Sequence, residues 1–338
     1  MPKRIFAFVF SAIVLVCGSS ESPYADIQMF SQDSVCEETI DLTDYSILPY
    51  VKEKEIVVPA LNQNFIPQGI AFWSAQNWLI ISGYFKPVCN GVKSALLAVN
   101  ATSGQFEGIY TLVDQYGERI EGHFSGVAIT DRDLYLSHGT SLLQVPLNSI
   151  KMGGATDSLP VIQSHETGID IGSCNYSDGI LWICEHYNSK KNPQIEAAGS
   201  GLMIGYCVSD SGLLTPYCIY RVPEKVQGIT ITKDGQLVFS ISYGRANPSV
   251  ILVYKDLRLN TPDGYGMVGD VEVPVWNIGE NCAELILSAP PMSEGCCAVG
   301  ESVYLIYESA ANYYRVLQPY NRSVDPTDRV WRINFNGK

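Results

Sequence analysis

The sequence predicts an all-β protein, a β-propeller of five four-stranded blades, with six blades as the alternative. Short runs of β-branched and aromatic residues recur along the chain, bounded by Gly, Pro, Asn, Asp and Ser, and this pattern is typical of many short strands. Helical periodicity is almost absent. A glycine-centred motif also returns at intervals of roughly 45 to 65 residues, the spacing of propeller blades.

The recurring motif is a glycine at the start of an apolar strand. Its copies are Gln68-Gly69-Ile70-Ala71, Ser125-Gly126-Val127-Ala128, Gln227-Gly228-Ile229-Thr230 and Glu294-Gly295-Cys296-Cys297, with a degenerate copy at Ile171-Gly172-Ser173-Cys174. Where innermost strands converge on a propeller axis, a glycine avoids the collision that a side chain would cause. A β-sandwich would not explain a glycine that recurs at blade-length spacing.

Further strand patterns follow each copy and fill out the blades. Second strands are predicted at 78–82, 134–137, 181–184, 237–242 and 303–307, and third strands at 95–99, 142–146, 202–208 and 250–254. Fainter fourth strands are predicted at 106–112, 160–164, 217–222 and 273–278. Only 330–335 remains for the last blade, so we expect the upstream segment 55–61 to complete it and to close the ring. A sixth blade would have to come from 257–287.

The N-terminus has the three parts of a secretory signal peptide. Lys3 and Arg4 precede an apolar run over 5–16, and small residues follow it. The run is shorter than the about 20 apolar residues of a transmembrane helix; an uncleaved anchor and a lipid-anchored Cys17 are the alternatives. The predicted organisation is a signal peptide at 1–20, a polar lead-in at 21–37 and a single propeller domain at 38–338. The last blade of this domain is predicted to contain a long loop at 310–328.

The formal net charge of −13 makes the chain acidic throughout. Nucleic acids and anionic membrane surfaces reward basic patches, so the charge argues against both as partners. No stretch after the signal peptide is long and apolar enough for membrane insertion. We therefore expect a secreted protein that binds a small molecule, a glycan or an extracellular protein.

Nine of the ten cysteines remain after removal of the signal peptide. In an oxidising compartment they are disulfide candidates first. Their spacing predicts two local bridges, Cys174–Cys184 and Cys207–Cys218. Pairing of the other five stays open, with Cys36–Cys89 and Cys282 to Cys296 or Cys297 as candidates. No spacing typical of a zinc site is present.

Three Asn-x-Ser/Thr sequons occur, at Asn100, Asn175 and Asn321. In a eukaryotic secretory pathway they would be glycosylation sites on surface turns.

Propeller topology converts these strands into a candidate site. Loops that enter a blade's first strand and leave its second strand open onto the same end of the central tunnel, which we call the mouth. Candidate ligand-binding residues there are Gln68, Tyr84, Glu121, His138, Asp170, Tyr187, Gln227, Tyr243, Arg245 and Glu308, and candidate catalytic residues are His123, Glu185, His186 and Glu294. Polar groups that converge on a concave mouth indicate a binding site, although wet propeller tunnels carry polar residues for structural reasons as well.

Other features are interpreted as structural. Ser82, Ser137 and Ser242 are expected to cap second strands with their hydroxyls. The chain has no G-x-S-x-G, H-E-x-x-H, P-loop or dinucleotide motif.

The Gln-Gly-Ile-Ala, Ser-Gly-Val-Ala, Gln-Gly-Ile-Thr and Glu-Gly repeats resemble the broad group of gluconolactonase/SMP-30, strictosidine-synthase-like and NHL-type propellers. The resemblance implies a divalent cation such as calcium, held by Glu, Asn and Asp at inner-strand ends. Gln68-Gly69 stands where the lactonases carry Glu-Gly, and Glu294-Gly295 keeps the acid.

Two functions are compatible with this sequence. One is a recognition module that binds its ligand at the mouth. The other is a hydrolase of the lactonase or esterase kind, with a His/Glu pair from the catalytic candidates as general acid and base, around a divalent cation in one version. Convergence of Glu121, Glu185 and Glu294 on one metal-sized point would favour the second.

Overall fold

The strands pair into five sheets around a central axis in the computed structural model, which describes residues 30–36, 44–151, 156–190, 200–255 and 261–336. The protein is a five-bladed β-propeller, as predicted. In chain order the strands are β1 (Val51–Glu53), β2 (Phe65–Trp73), β3 (Trp78–Cys89), β4 (Val92–Asn100), β5 (Phe106–Val113), β6 (Arg119–Ile120), β7 (Val127–Ile129), β8 (Asp133–His138), β9 (Ser141–Pro146), β10 (Thr156–Pro160), β11 (Gln163–Glu166), β12 (Ile171–Ser177), β13 (Ile180–Glu185), β14 (Gly201–Val208), β15 (Leu214–Val222), β16 (Val226–Ile231), β17 (Leu237–Ile241), β18 (Ser249–Tyr254), β19 (Gly264–Val268), β20 (Val271–Asn277), β21 (Leu285–Ala289), β22 (Ser293–Val299), β23 (Ser302–Tyr307) and β24 (Trp331–Ile333). A single α-helical turn, α1 (Asn312–Arg315), lies in the 310–328 loop, and 3-10 turns occur at Leu48–Tyr50, Leu61–Gln63, Leu147–Ser149 and Glu280–Cys282.

Each blade is an antiparallel sheet of four strands, counted here from the axis outward. Blade one is β2–β3–β4–β5, blade two β7–β8–β9–β11, and blade three β12–β13–β14–β15. Blade four is β16–β17–β18–β21, and blade five is β22–β23–β24–β1.

The ring is closed by a strand from the N-terminal side, but this strand is not the predicted one. β1 pairs with β24, with Val51 opposite Ile333. The predicted segment 55–61 makes only an isolated bridge between Val57 and Arg329. Its apolar side chains at Ile56, Val58 and Leu61 are buried in the core between blades five and one instead, which draws the segment out of the sheet.

One predicted fourth strand belongs to another blade, because the chain crosses between neighbouring blades at their outer edges. The segment 273–278 lies in β20, which pairs in parallel with β15 of blade three and forms a hairpin with β19. β21 supplies the fourth strand of blade four, so the described part of 257–287 builds no sixth blade. Likewise, β10 pairs in parallel with β5 at the outer edge of blade one. The fourth strand of blade two is β11, which begins three residues later than the predicted 160–164 and pairs with β9.

The motif glycines lie where innermost strands approach each other most closely. A Cβ atom on Gly295 would lie 2.8 Å from the Cα of Gly69, and one on Gly126 would lie 2.4 Å from the backbone nitrogen of Cys174. In blade three the equivalent position is held by Ser173, not by the predicted Gly172, and the Ser173 hydroxyl accepts a hydrogen bond from the amide of Ile229. The inner strands therefore pack backbone to backbone.

Serine hydroxyls of the second strands form hydrogen bonds that hold the inner strands together. Ser82 donates to the carbonyl of Phe124 in the next blade, and Ser137 accepts from the amide of Gly126. In blade four this contact is made by Ser240, whose hydroxyl lies 2.7 Å from that of Ser293, rather than by the predicted Ser242.

Part of the predicted lead-in packs on the propeller. Phe30 is buried, with its ring centroid 5.8 Å from that of Phe85. The buried carboxylate of Asp328 accepts hydrogen bonds from Ser34, Val35 and Cys36. The described residues 30–36 are therefore held to the junction of the first and last blades.

The nine cysteines in the described part of the chain carry free thiols, so the predicted local bridges are not formed. Cys184 lies opposite Ser173 in the sheet, and adjacent residues of a strand point to opposite faces, which separates Cys174 from Cys184. The two thiols accordingly pack into different hydrophobic clusters. Cys207 is exposed and lies opposite Thr215 rather than opposite the buried Cys218.

The three sequons differ in their surroundings. Asn100 begins a turn, in which its side chain accepts from the amides of Thr102 and Ser103, and Asn321 is exposed in the 310–328 loop. Asn175 is not on a surface turn as expected. It lies on the innermost strand β12, and its amide donates to Thr230 of the neighbouring blade.

The predicted signal peptide at 1–20 lies outside the described residues. Within the part of the chain that is described, no helix has the length and apolar character needed to span a membrane.

Candidate functional site

Inner-strand starts and second-strand ends meet at one end of the ring, the end that the topology predicts. Tyr84 lies in β3, the second strand of blade one, and its ring centroid lies 4.5 Å from that of His123, which precedes blade two. On the inner strand of the same blade, Gln68 donates from Nε2 to Oε2 of Glu308 at 3.0 Å. Gln227 of blade four donates a longer hydrogen bond, 3.4 Å, to Oε1 of Glu294. Side chains from four blades therefore meet around the axis.

Glu294 and Glu308 are the two carboxyl groups of this site. Glu294 is only 3% exposed, and burial, reinforced by the negative charge of Glu308, raises its pKa well above the usual range. Burial also raises the pKa of Glu308 to about 7, although hydrogen bonds from Tyr314 and Gln68 oppose the rise. Two neighbouring carboxyl groups withdrawn from water do not both ionise easily, so each raises the energy of ionising the other near neutral pH.

Tyr314 belongs to the site although no strand carries it. It lies on α1, and its hydroxyl is hydrogen-bonded to both Glu308 and Tyr84. Burial is the main cause of the raised pKa of both tyrosines, so they stay neutral donors. We use the name mouth cluster for Gln68, Tyr84, His123, Gln227, Glu294, Glu308 and Tyr314.

Sequence reasoning missed Tyr314 because it treated the 310–328 loop as an insertion. The one available signal is the run Asn312-Tyr313-Tyr314-Arg315, with two adjacent aromatic residues in an otherwise polar loop. The loop is fixed to the blades by hydrogen bonds from Asn312 to Asn64 and from Arg315 to Asn62, both 2.8 Å long. These contacts place α1 over the mouth.

Positive charges surround the cluster at its rim. The guanidinium of Arg245 lies 4.6 Å from the ring centroid of Tyr314, and Nζ of Lys86 lies 4.6 Å from that of Tyr313. Arg245 also donates to the carbonyl of Asn321. Both cations lower the pKa of Glu308, so they face the carboxyl pair across the tyrosine rings.

Blade three approaches the site through His186 and Asp170. The pKa of His123 is lowered, mainly by burial and next by the charge of His186, while Asp170 opposes this. Nδ1 of His123 lies 3.1 Å from the Ser125 hydroxyl, and Nδ1 of His186 lies 3.2 Å from the carbonyl of Val226. The charges of the two imidazoles therefore interact, and the lowered pKa keeps His123 mostly neutral at pH 7.

Other candidates have contacts of their own. Glu121 forms an ion pair with Lys93 at 3.3 Å, and Nε2 of His138 lies 3.1 Å from the carbonyl of Glu121. Glu185 is buried and accepts from the amide of Leu202 at 3.3 Å. Within the described ranges, no hydrogen bond or ion pair joins any of these to the carboxyl pair.

Two candidate tyrosines differ in exposure. Tyr187 is fully buried, whereas Tyr243 is exposed with Nζ of Lys225 5.1 Å from its ring centroid.

The donor set does not fit the expected calcium site. Calcium takes six to eight oxygen ligands at about 2.3–2.6 Å. Over the described ranges, no group of three or more His, Cys, Asp or Glu side chains is placed to hold a metal ion. Glu121, Glu185 and Glu294 in particular do not form such a group.

The sequence matches no protein-family model and no curated protein. Among solved structures, the chain is similar to the glutaminyl cyclase of Myxococcus xanthus, with 10% identity over 84% of this chain and 95% of that chain and a TM-score of 0.45. It is also similar to the PQQ-bound aldose sugar dehydrogenase of Streptomyces coelicolor, with 10% identity over 84% and 97% and a TM-score of 0.44. A glucose dehydrogenase of Thermus thermophilus is 13% identical over 79% and 96%, with a TM-score of 0.40. Likeness at this level assigns neither an activity nor a ligand to this chain.

Proposed function

We propose that the protein recognises a small organic molecule at the mouth of its tunnel. The observation that carries this proposal is the convergence of the mouth cluster from separate blades around two carboxyl groups, one buried (Glu294) and one half-buried (Glu308). Burying an ionisable group is unfavourable unless the group is paired, and strongly perturbed groups concentrate at functional sites. A purely structural tunnel would be filled at lower cost by neutral side chains.

The cluster offers a ligand several kinds of contact. The amides of Gln68 and Gln227 donate hydrogen bonds, and the carboxyl pair accepts them. The rings of Tyr84 and His123, tilted by 35° to each other, form an aromatic surface beside these groups. His123 is exposed and Gln227 and Glu308 are half-buried, so solvent reaches the cluster and a ligand can enter from the same side.

Fragment screening by protein-observed NMR tests this proposal. Neutral, anionic and cationic fragments are titrated into the protein and into the variants Glu294→Gln and Tyr84→Ala. We expect a subset of fragments to shift amide signals around residues 68–70 and 294–296, and both variants to weaken those shifts about tenfold or more, because each removes a direct contact.

Glu301→Gln is the matched control for Glu294→Gln. Glu301 is an exposed residue of the same blade, in the turn at the far end. A screen in which no fragment perturbs the mouth, or in which Glu301→Gln has the same effect as Glu294→Gln, would contradict the proposal.

Hydrolysis is the second candidate, and the carboxyl pair is the observation that favours it. Glu294, whose pKa burial raises well above the usual range, can act as a general acid at neutral pH, while Glu308, whose pKa is about 7, acts as the base in its ionised form. The predicted His/Glu pair would then be replaced by Glu294 and Glu308. A panel of lactones and esters tests this, with Glu308→Gln expected to abolish turnover. Turnover that survives both Glu308→Gln and Glu294→Gln would remove the pair from the mechanism.

We also propose export through the predicted signal peptide. This rests on the charged start, the short apolar run and the small residues of 1–20. Expression of the whole chain in a secreting host, followed by mass spectrometry of the mature N-terminus, is expected to show cleavage near residue 20. An intact Met1 on secreted or cell-associated protein would contradict it.

A further inference from the structure

The carboxyl pair has no cationic partner among the described residues. Their ion pairs include neither Glu294 nor Glu308. Buried carboxylates are usually paired with a cation, bound to a metal, or hydrogen-bonded on both oxygens. In the described part of the chain, the carboxylate of Glu294 receives only the 3.4 Å contact from Gln227. Acceptor capacity therefore remains inside a site that excludes most water.

The nearest cations are held away from the pair. Arg245 stacks on Tyr314 and donates to Asn321, and Lys86 lies over Tyr313. Neither forms an ion pair with a carboxyl group of the pair, and each lies instead over a tyrosine ring of the 310–328 loop. These cations weaken the negative field at the mouth without neutralising it by direct contact.

The remaining neighbours supply donors but no net positive charge. Gln68, Gln227 and Tyr314 give hydrogen bonds to the two carboxyl groups. His123 is neutral near pH 7 because burial lowers its pKa. The pair therefore faces neutral donors, aromatic rings and unused lone pairs.

A metal ion is a poor occupant, because the described residues bring no third carboxylate, histidine or cysteine to this point. A neutral ligand would leave the negative charge of the carboxyl pair without a positive charge to balance it. An ammonium group, in contrast, supplies positive charge and up to three N–H donors in a small volume.

We infer that the mouth binds the ammonium head of a primary or secondary organic amine between Glu294 and Glu308. The organic part of the amine lies against Tyr84 and His123. This inference rests on the proposed function, since it names the class of ligand for the same site. A bound cation favours the ionised form of both carboxyl groups, so we expect complex formation near neutral pH to release a proton to the solvent.

A pair of matched probes tests the inference. The probes are n-butylammonium and 1-butanol, which differ chiefly in the charged head, with choline as a cation that has no N–H donor. Isothermal titration is carried out in two buffers of different ionisation enthalpy, which also counts released protons. We expect n-butylammonium to bind at least about tenfold more tightly than either other probe, with proton release at pH 7.

Three variants extend the test, because they are expected to change the affinity for n-butylammonium in different directions. Glu294→Gln should weaken n-butylammonium at least about tenfold and abolish proton release. Lys86→Gln removes a competing positive charge from the exposed rim, so it should tighten binding severalfold. Glu301→Gln should leave binding unchanged, and thermal unfolding checks that all three variants are folded.

The outcomes separate this inference from the proposed function. If 1-butanol binds at the mouth as well as n-butylammonium does, the inference is wrong but small-molecule recognition stands. Equal binding of choline removes the requirement for N–H donors and overturns the ammonium assignment. If no probe and no fragment binds at the mouth, both fail.

Discussion

The two ends of the propeller use acidic residues in opposite ways. At the far end, Asp234 lies exposed in the turn between β16 and β17, where its carboxylate accepts hydrogen bonds from Thr232 at 2.6 Å and from Asn336 at 3.1 Å. These bonds lower its pKa. At the mouth, burial raises the pKa of Glu294 and Glu308. Acids at the far end stabilise local turns when ionised, whereas those at the mouth resist ionisation.

The difference indicates which end carries function. A turn carboxylate that is hydrogen-bonded on the surface needs no explanation beyond the turn itself. A buried carboxyl pair lowers stability at neutral pH, and such an arrangement is typical of a site that binds or reacts.

The largest expected effect concerns the close packing that brings the mouth residues together. Gly295→Ala puts a methyl group 2.8 Å from backbone atoms of Gln68, Gly69 and Ile70, none of which can move alone. We expect a loss of about 3 kcal/mol or more in the free energy of unfolding, measured by denaturant titration.

Gly264→Ala is the control for this substitution, because it lies on the outer strand β19 with no atom within 4 Å. Its effect should be below about 0.5 kcal/mol. Equal losses in the two variants would show that the inner strands can separate freely.

The next effect is the pH dependence that the carboxyl pair produces. Because the pKa of Glu308 is raised in the folded state, the folded protein binds more protons than the unfolded chain between about pH 4.5 and 7. Stability is unaffected by the pair below this window and falls as pH rises through it, by about 1–3 kcal/mol.

Glu308→Gln should remove most of that decline and be the more stable protein at pH 8. His123 has a lowered pKa, so its contribution to the free energy of unfolding changes with pH in the opposite direction. Because both proteins contain His123, this contribution cancels when their free energies of unfolding are subtracted. Parallel stability curves for wild type and variant over pH 5–8 would contradict the raised pKa.

A smaller effect is expected at the 310–328 loop. Tyr314→Phe removes the hydroxyl that donates to Glu308, and this bond favours the ionised carboxyl group. The pKa of Glu308 should rise further, by about one unit. Carbon-detected NMR titration of the Glu308 carboxyl measures it, and an unchanged pKa would show that Tyr314 does not contact the pair in solution.

The smallest effect is at the far end. Asp234→Asn removes an exposed turn carboxylate with two hydrogen bonds, so we expect a loss below about 1 kcal/mol at neutral pH. This loss should vanish as pH falls through the lowered pKa of Asp234, because the protonated wild-type side chain is then as uncharged as the asparagine of the variant. A gain in stability would show that the far end resembles the mouth.

Much of the architecture follows from local sequence. The glycine motif at 69, 126, 228 and 295 predicts the inner strands because only a glycine fits where backbones approach to these distances. Blade count follows from this repeat. The entry and exit rule then places Gln68, Tyr84, His123, Gln227, Glu294 and Glu308 at one end, and the structure brings these six together.

Other features depend on distant parts of the chain. β1 rather than 55–61 closes the ring because Ile56, Val58 and Leu61 find a buried pocket between blades, which no local pattern reveals. β20 joins blade three because its edge partner β15 lies across a blade boundary. Cys174 and Cys184 appear paired by spacing, yet strand register puts them on opposite faces.

By itself, the sequence determined a propeller, its five inner strands and the end at which polar residues gather, since strand alternation and glycine spacing are local properties. Only the tertiary structure decided which of those residues touch, because contact across the axis joins residues as far apart as Gln68 and Glu308. It also brought Tyr314 over the mouth and put Glu294 beside Glu308. The chemical character of the site comes from burial, a property of the assembled ring that no single segment of the chain contains.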